Sequence, residues 1–241
     1  MKRFLLAVSF LTIIPVRLQE PAHPGDLGRA AGWFPVIGAI LGGLVAAAYY
    51  GFSLIFPPYL AAALAVAIWI GLTGGLHLDG LADCCDGLLN ASSRERRLEI
   101  MKDPRLGTFG AIGLVLTIIL KIICLTSMPP SMAWIALPLA AALGRYLLLP
   151  AGKQPLARPD GMGADFASGL NKAVIILAAL VVGVLTGLAG WRGLLVVLAV
   201  HAITWFLLHF AKARLGGVSG DVLGMILELA ELVTLLGFCI R

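Results

Sequence analysis

Four residues able to do chemistry lie close together near position 80 of this 241-residue chain. They are His77, Asp79, Asp83 and Asp86, in the run GGLHLDGLADCCDG that starts at Gly74. In a helix the three aspartates would share one face, because they are spaced by about one turn each. Such a face must be solvated, neutralised by basic side chains, or used to hold a cation. Carboxylate oxygens suit a hard ion, so the pattern indicates Mg²⁺ shared with a substrate phosphate.

A second candidate site follows in the basic loop after this acidic motif. Ser92 or Ser93 can cap a short helix that continues to Met101. The candidate phosphate ligands in this loop are Arg94, Lys102, Arg105 and the backbone at Gly107. Cations and glycines beside a helix amino terminus favour binding of a phosphate or diphosphate. The alternative is that these basic residues only anchor the cytoplasmic side of a membrane protein.

A third group of acids lies near the carboxyl end of the chain. Asp221, Glu228 and Glu231 would fall on one side of a helix. Carboxylates within an apolar segment are costly unless they face a polar cavity or a partner. They could complete the metal site or position a nucleophile, or they could form structural ion pairs. Candidate partners are Arg145, Arg214 or a bound cation.

The composition defines the class of protein that carries these groups. The chain is 60% hydrophobic and only 13% charged, with a mean hydropathy of +0.97. A soluble domain would be about one quarter charged, so the sequence predicts an all-α, polytopic membrane protein. We expect one membrane-embedded domain over residues 1–241. No dense basic run accompanies the pI of about 9.2, which excludes nucleic acid as an expected partner.

The apolar segments predict about seven membrane spans, each close to the length that a bilayer requires. Their expected bounds are about 34–56, 59–76, 108–127, 132–149, 173–190, 194–211 and 222–240. The apolar run in residues 1–16 is too short to span and lacks a small-residue cleavage site. We expect it to be an uncleaved segment that lies at the membrane interface or re-enters.

The distribution of charge predicts the orientation in the membrane. If seven segments alternate, one side receives 15 of the 18 Lys and Arg residues, while Arg192 and Arg241 lie on the other. The positive-inside rule places the first side in the cytoplasm, and the localisation expected is the inner membrane. The acidic motif lies on that same side. An enzyme that acts on cytoplasmic substrates needs access from one face only, whereas a transporter needs both.

These motifs resemble those of the cobalamin synthase family, the adenosylcobinamide-GDP ribazoletransferases. The resemblance rests on residues 74–83 with Asp86-Gly87, on residues 100–105 with Gly107 and Gly110, on Phe10-Leu11-Thr12 with Pro15, on Trp33-Phe34-Pro35, and on residues 216–221 with Glu228 and Glu231. These blocks extend over the whole chain in the family's order. The pair Cys84-Cys85 departs from the small residues, such as Thr or Ala, that the resemblance implies there.

The resemblance implies a Mg²⁺-dependent transfer that joins adenosylcobinamide-GDP to α-ribazole, or to its 5′-phosphate, with release of GMP. It implies metal ligation by Asp79, Asp83, Asp86 and Asp221, diphosphate binding by Arg94, Lys102, Arg105 and Gly107, and catalysis by His77, Asp83, Glu228 and Glu231. The implied partners are a corrinoid nucleotide, α-ribazole and membrane lipid. A homo-oligomer, or association with other enzymes of cobalamin assembly, stays open.

Two other classes of membrane protein fit part of the pattern. A CDP-alcohol phosphotransferase also gathers aspartates at a cytoplasmic membrane surface, but Asp83 follows Ala82 where that class has arginine. A transporter could use Glu228 and Glu231 as coupling acids. The sequence contains no evident paired half-repeats of the kind common in transporters.

Overall fold

The computed structural model describes residues 1–17, 21–158 and 162–240, and its regular structure within these ranges is helical. The helices are α1 (Lys2–Leu11), α2 (Asp26–Ala30), α3 (Phe34–Ser53), α4 (Pro58–Thr73), α5 (Leu76–Leu88), α6 (Arg94–Ile100), α7 (Thr108–Ser127), α8 (Pro130–Gly152), α9 (Met162–Gly169), α10 (Lys172–Leu188), α11 (Gly190–Leu215) and α12 (Gly220–Phe238). A 3-10 turn at Ala31–Trp33 joins α2 to α3. The predicted all-α architecture is confirmed, while Arg241 lies outside the described residues.

The seven predicted spans all coincide with helices, but not every helix can cross a membrane alone. In the described chain, four segments are long and apolar enough: Asp26–Ser53, α7, α8 and α11. Two sharply bent pairs, α4 with α5 and Gly163–Gly169 with Lys172–Leu188, raise the number to six if each pair is one span. The prediction of about seven exceeds this number, because the 19 residues of α12 include three carboxylates.

The acidic motif forms a helix of its own after the second predicted span, which ends at Thr73 and not at residue 76. Gly74 and Gly75 adopt φ values of +63° and +68°, a left-handed conformation that L side chains rarely tolerate. This turn ends α4 and starts α5, with a bend of 93° between the two helices. The acids of α5 are therefore held across the end of α4 and not along its axis.

Helix α12 lies in the interior and packs against α5, α7, α8 and α11. Two glycines allow the close approach of α12 to α5. A Cβ added at Gly80 would lie 3.0 Å from the backbone of Asp221, and one at Gly224 would lie 3.1 Å from the His77 carbonyl oxygen. Small residues at this crossing let the backbones meet, as is usual where membrane helices pack closely.

The amino-terminal segment forms α1, which packs against α2 and α3. Beyond α1, the Ile13 N–H donates a hydrogen bond to the Leu72 carbonyl at the end of α4 (3.0 Å). On the other side, the Gly25 N–H donates to Asp165 Oδ1 of α9 (2.6 Å). The expected interfacial or re-entrant segment is thus a short helix tied to the bundle, and it brings Phe10 near α3.

Candidate functional site

The three aspartates of the motif lie on α5, as their spacing predicted. Asp79 is exposed, whereas Asp83 and Asp86 are half-buried. The Asp83 carboxylate is repelled by the charges of its neighbours Asp79, Asp86 and Asp221. Asp221 comes from the first turn of α12, where Ser219 caps the helix by accepting a hydrogen bond from the Val222 N–H. The α5–α12 crossing therefore gathers carboxylates from two distant parts of the sequence.

A cavity of about 150 Å³ opens beside this crossing. Asp79 and Asp221 line it together with His77 and Gly80. Most of the remaining lining is apolar and comes from α1, α2, α3, α8, α9 and α12. Asp79 and Leu76 are exposed, so the cavity reaches the protein surface on the side of α5. A hollow shared by α5 and α12 is the arrangement that a common cation and substrate site requires.

Asp86 has a different environment from the other two acids of α5. Its Oδ2 accepts a hydrogen bond from the Gly107 N–H (2.8 Å), and its Oδ1 accepts one from the Gly110 N–H (2.9 Å). These N–H groups belong to the amino terminus of α7, which favours an anion. A Cβ at either glycine would collide with the carboxylate. Asp86 and Gly107 therefore contact each other, while metal binding by Asp86 and phosphate binding at Gly107 stay predictions.

The predicted diphosphate cations do not converge in this structure. Arg105 pairs with Asp103 (Nη2–Oδ2 2.6 Å), and these hydrogen bonds lower the pKa of Asp103 to about 2. Arg94 donates to the Ala157 carbonyl (3.2 Å) and lies against Gly216. Lys102 is exposed. All three cations are exposed, and Arg94 also joins the start of α6 to the loop at Ala157.

Arg158 is a basic residue near the site that the sequence did not single out. Its Nη2 donates to the Leu98 carbonyl of α6 (2.8 Å), and its charge attracts the Asp221 carboxylate. The preceding loop pairs with the loop before α12, because the Ala157 N–H donates to the Val218 carbonyl (2.9 Å). No local motif marked Arg158, since its position depends on this pairing across about 60 residues.

Glu228 and Glu231 form ion pairs inside the bundle. Lys121 Nζ of α7 lies 2.7 Å from Glu228 Oε2 and 2.6 Å from Glu231 Oε2. Arg145 Nη1 of α8 lies 2.7 Å from Glu231 Oε1. All four side chains are buried, and Lys121 also lies 4.5 Å from the centre of the Trp69 ring. This buried ion-pair cluster joins α7, α8 and α12.

The cluster shows which of the candidate partners these acids have in the structure. Arg145 is a partner of Glu231, as considered, but Arg214 instead donates to the Leu88 carbonyl (2.9 Å). Lys121 was not foreseen, although a lysine within an apolar span is itself a signal of a buried partner. Glu228 and Glu231 are both engaged in these ion pairs. Neither side chain lines the cavity beside Asp79. The geometry does not bring these two glutamates to the predicted catalytic site.

His77 lines the cavity and is only 5% exposed. The positive charges of Arg145 and Lys121, which belong to the ion-pair cluster, lie close enough to act on its imidazole. Its Nδ1 finds no hydrogen-bond partner in the part of the chain that the structure describes. By contrast, His201 and His209 bond to backbone carbonyls one turn earlier in α11, consistent with packing roles.

The residues at the crossing suit a hard divalent cation by their chemistry. Among the described residues, no three His, Cys, Asp or Glu side chains form a preassembled metal site. Mg²⁺ is commonly held by one or two carboxylates, with water and substrate phosphate supplying the remaining ligands. Asp79, Asp83 and Asp221 offer only oxygen donors, and two of them face the cavity. These three residues could hold such an ion together with a substrate phosphate.

The fold and the site together define a multi-pass, all-α membrane protein with a carboxylate-lined cavity where α5 crosses α12. Residues 3–239 match the family model described as cobalamin-5-phosphate synthase. The chain therefore belongs to the cobalamin-5-phosphate synthase family, in agreement with the resemblance seen in its motifs.

Several curated proteins are similar to this chain over nearly its full length, and each bears the name adenosylcobinamide-GDP ribazoletransferase. The protein from Pseudomonas syringae is 39% identical over 97% of both chains. That from Stutzerimonas stutzeri is 40% identical over 98% of this chain and 97% of its own. That from Acetivibrio thermocellus is 35% identical over 99% of this chain and 97% of its own. No solved structure matches.

Proposed function

We propose that this protein is an adenosylcobinamide-GDP ribazoletransferase that acts in cobalamin synthesis. It joins adenosylcobinamide-GDP to α-ribazole, or to α-ribazole 5′-phosphate, and releases GMP. Family membership and the names of the relatives support this reaction. The single observation that carries it is the cavity where Asp79 and Asp221, from two different helices, face one space. Neither the CDP-alcohol phosphotransferase nor the transporter alternative receives comparable support.

In the reaction, the ribazole hydroxyl oxygen attacks the phosphorus that is linked to cobinamide. A new phosphorus–oxygen bond forms, the bond from that phosphorus to the bridging oxygen breaks, and GMP leaves with the bridging oxygen. We assign the hydroxyl proton to His77 or to Asp221, because both side chains line the cavity. Residues from α1, α3 and α9 form an apolar wall of the cavity beside this region.

Asp79, Asp83 and Asp221 are the residues that we propose to hold Mg²⁺. When bound, the ion would neutralise charge on the diphosphate and on the departing GMP. The mutual repulsion that acts on Asp83 supports this role, since a cation would relieve it. Asp86 is left out of this set because both of its oxygens hold the amino terminus of α7.

Lys102 and Arg105 are proposed to contact the diphosphate of the donor. Both are exposed near the end of α6, where a substrate phosphate could reach them. Arg158 joins them as a cation beside Asp221. We assign Arg94 to stabilising the loops, because its guanidinium donates a hydrogen bond to the Ala157 carbonyl.

The test is release of GMP from adenosylcobinamide-GDP by the purified protein, measured with and without α-ribazole and Mg²⁺. We expect release of GMP only when both α-ribazole and Mg²⁺ are present. Chelation of the metal should abolish the release, and addition of Mg²⁺ should restore it. Asp83→Asn should abolish release, whereas Glu99→Gln, which changes an exposed acid on α6, should retain it. Full activity of folded Asp83→Asn would remove the metal assignment. CMP release from CDP-diacylglycerol and an alcohol would favour the phosphotransferase alternative instead.

The orientation that we propose places the cavity on the cytoplasmic face of the inner membrane. The excess of Lys and Arg on the side of α6 supports it. Both substrates would then be reached from the compartment in which soluble nucleotides occur, without transport across the bilayer.

A further inference from the structure

Three phenylalanine rings from separate parts of the chain form a stacked column at the cavity. The ring of Phe34 on α3 lies 5.7 Å from that of Phe10 on α1, with 16° between the planes. The Phe34 ring also lies 5.9 Å from the ring of Phe166 on α9, with 12° between the planes. All three residues line the cavity that also contains Asp79 and Asp221. The cavity thus combines aromatic faces with two carboxylates.

This combination narrows the chemistry of the ligand. Aromatic faces bind flat, fused ring systems through offset stacking and edge contacts. The carboxylates repel anions, so they require either a cation between themselves and a phosphate or a neutral group with hydrogen-bond donors. A nucleoside with an apolar aromatic base satisfies both demands, because its base suits the phenylalanine rings and its attacking hydroxyl can lie beside the cation that the acids are proposed to hold.

The volume narrows the ligand further. The cavity holds about 150 Å³, whereas pockets for drug-sized ligands usually measure roughly 300–1,000 Å³. One fused bicyclic ring suits this space, but the corrin macrocycle of the donor is far larger. The guanine of the donor is flat as well, yet its polar edge would need the carboxylates that the proposed function assigns to Mg²⁺.

We propose that this cavity is the subsite for the aromatic base of the ribazole acceptor, with Phe10 and Phe166 as its contact residues and Phe34 stacked against both of them. The inference rests on the proposed function, in which ribazole is the nucleophile. It also orders the site: the acceptor base lies within the bundle, its hydroxyl points toward Asp79 and Asp221, and the corrinoid stays outside.

Two substitutions test the subsite. Phe166→Leu and Phe10→Leu keep an apolar side chain but remove a ring face. Each should raise KM for α-ribazole about tenfold, the size expected when aromatic stacking and part of the contact area are lost. KM for adenosylcobinamide-GDP should change less than about twofold, and kcat should be largely retained. Phe10 is only half-buried, so its variant remains informative if Phe166→Leu fails to fold.

The matched control is Phe206→Leu. Phe206 also stacks on another ring, Phe210, with 6.0 Å between centroids and 8° between planes, but it is exposed on α11 and does not line the cavity. Its KM for α-ribazole should equal that of the unaltered protein. Calorimetric titration of α-ribazole without donor should give the same order of affinities, which separates binding from turnover.

The outcomes separate this inference from the proposed function. If the unaltered protein releases GMP and both cavity variants keep their KM for α-ribazole, the subsite is wrong and the function stands. A rise in KM for adenosylcobinamide-GDP alone would assign the cavity to guanine and overturn the inference. If the unaltered protein binds α-ribazole through these rings but releases no GMP, the proposed function fails and the subsite is supported.

Discussion

Asp86 and Asp83 lie three residues apart on the same face of α5, yet their surroundings differ. Asp86 is bound by two backbone N–H groups of α7, while Asp83 is surrounded by other acids. Two charge-assisted hydrogen bonds at a helix amino terminus stabilise the fold. A cluster of like charges destabilises the fold, so its presence indicates a site that binds a ligand. The same residue type thus serves structure at one position and function at the other.

We predict that Asp86→Asn lowers the free energy of unfolding by about 1–2 kcal/mol, because it removes the charge and one acceptor at the start of α7. The measurement is thermal unfolding of the purified protein in detergent. The Mg²⁺ concentration that gives half-maximal GMP release should stay unchanged, since Asp86 is not assigned to the metal.

Asp83→Asn is the matched comparison for this prediction. It should leave the unfolding temperature equal or higher, because it relieves repulsion among the acids, and it should abolish the response to Mg²⁺. If Asp86→Asn weakens Mg²⁺ activation while the fold keeps its stability, Asp86 is a metal ligand after all and the capping assignment is wrong.

The sequence predicts the chemistry of α5 better than the use of each acid. Their spacing gives the shared face, since helical periodicity is a local property. Which acid pairs with α7 depends on how closely Gly107 and Gly110 approach Asp86, and this contact joins residues more than 20 positions apart. The glycines at both positions are a usable signal of a close approach, but they do not indicate whether a phosphate or a side chain approaches them.

At the scale of the helices, the α5–α12 crossing sets the separation of the acids. We predict that Gly80→Ala pushes the two helices apart, because the new Cβ would lie 3.0 Å from the Asp221 backbone, which cannot rotate away. GMP release should fall by about tenfold through misplacement of Asp79 relative to Asp221. The kinetic assay is accompanied by measurement of folded protein after size-exclusion chromatography.

Gly43→Ala is the control for this prediction, since nothing lies within 4 Å of a Cβ added at Gly43 on α3. Alanine also favours a helix interior over glycine. This variant should be as active as the unaltered protein and at least as stable. Equal activity of Gly80→Ala would mean that the close crossing does not matter for the site.

The buried ion-pair cluster is a second feature of the helix packing. We predict that Glu231→Gln costs about 3–5 kcal/mol, because it leaves Arg145 without a countercharge inside the bundle. The loss should be measured as a lower unfolding temperature in detergent. Glu99→Gln breaks a pair with Arg96 in which both side chains are about two-thirds exposed, so its cost should be near zero. Similar losses in both variants would contradict a special role for the cluster.

The bounds of the long helices follow closely from the sequence, whereas their breaks and partners do not. The prediction of a span at 108–127 coincides with α7, because Gly107 and the Met128-Pro129-Pro130 run end the apolar segment on both sides. The sequence extended the second span to residue 76, but the left-handed Gly74 and Gly75 end it earlier. The partners of Lys121 could not be predicted from a local pattern, since they lie more than 100 residues away in the sequence.

For the whole molecule, the cavity depends on the complete fold. Its aromatic faces come from α1, α3 and α9, and its acids come from α5 and α12. No two of these five helices are consecutive in the sequence. Composition and charge predict the membrane location and the side on which the acids lie, while the cavity itself becomes visible only when the helices are packed.

The orientation in the membrane is testable without any assay of activity. We predict that α6 is cytoplasmic and that the turn between α10 and α11 faces the opposite side, because Lys and Arg gather on the side of α6. Arg96→Cys and Trp191→Cys place a thiol at each location, where both native side chains are exposed. The two variants are treated with a membrane-impermeant maleimide in intact spheroplasts and again after permeabilisation.

Trp191→Cys should react in intact spheroplasts, and Arg96→Cys should react only after permeabilisation. The unaltered chain provides the background, since its own thiols at Cys84 and Cys124 are buried and those at Cys85 and Cys239 are half-buried. The reverse labelling pattern would mean that the protein has the opposite orientation, with the acids of α5 outside the cytoplasm. The cavity would then face away from soluble nucleotides, and a donor carrying GDP could not reach it from the compartment that supplies it.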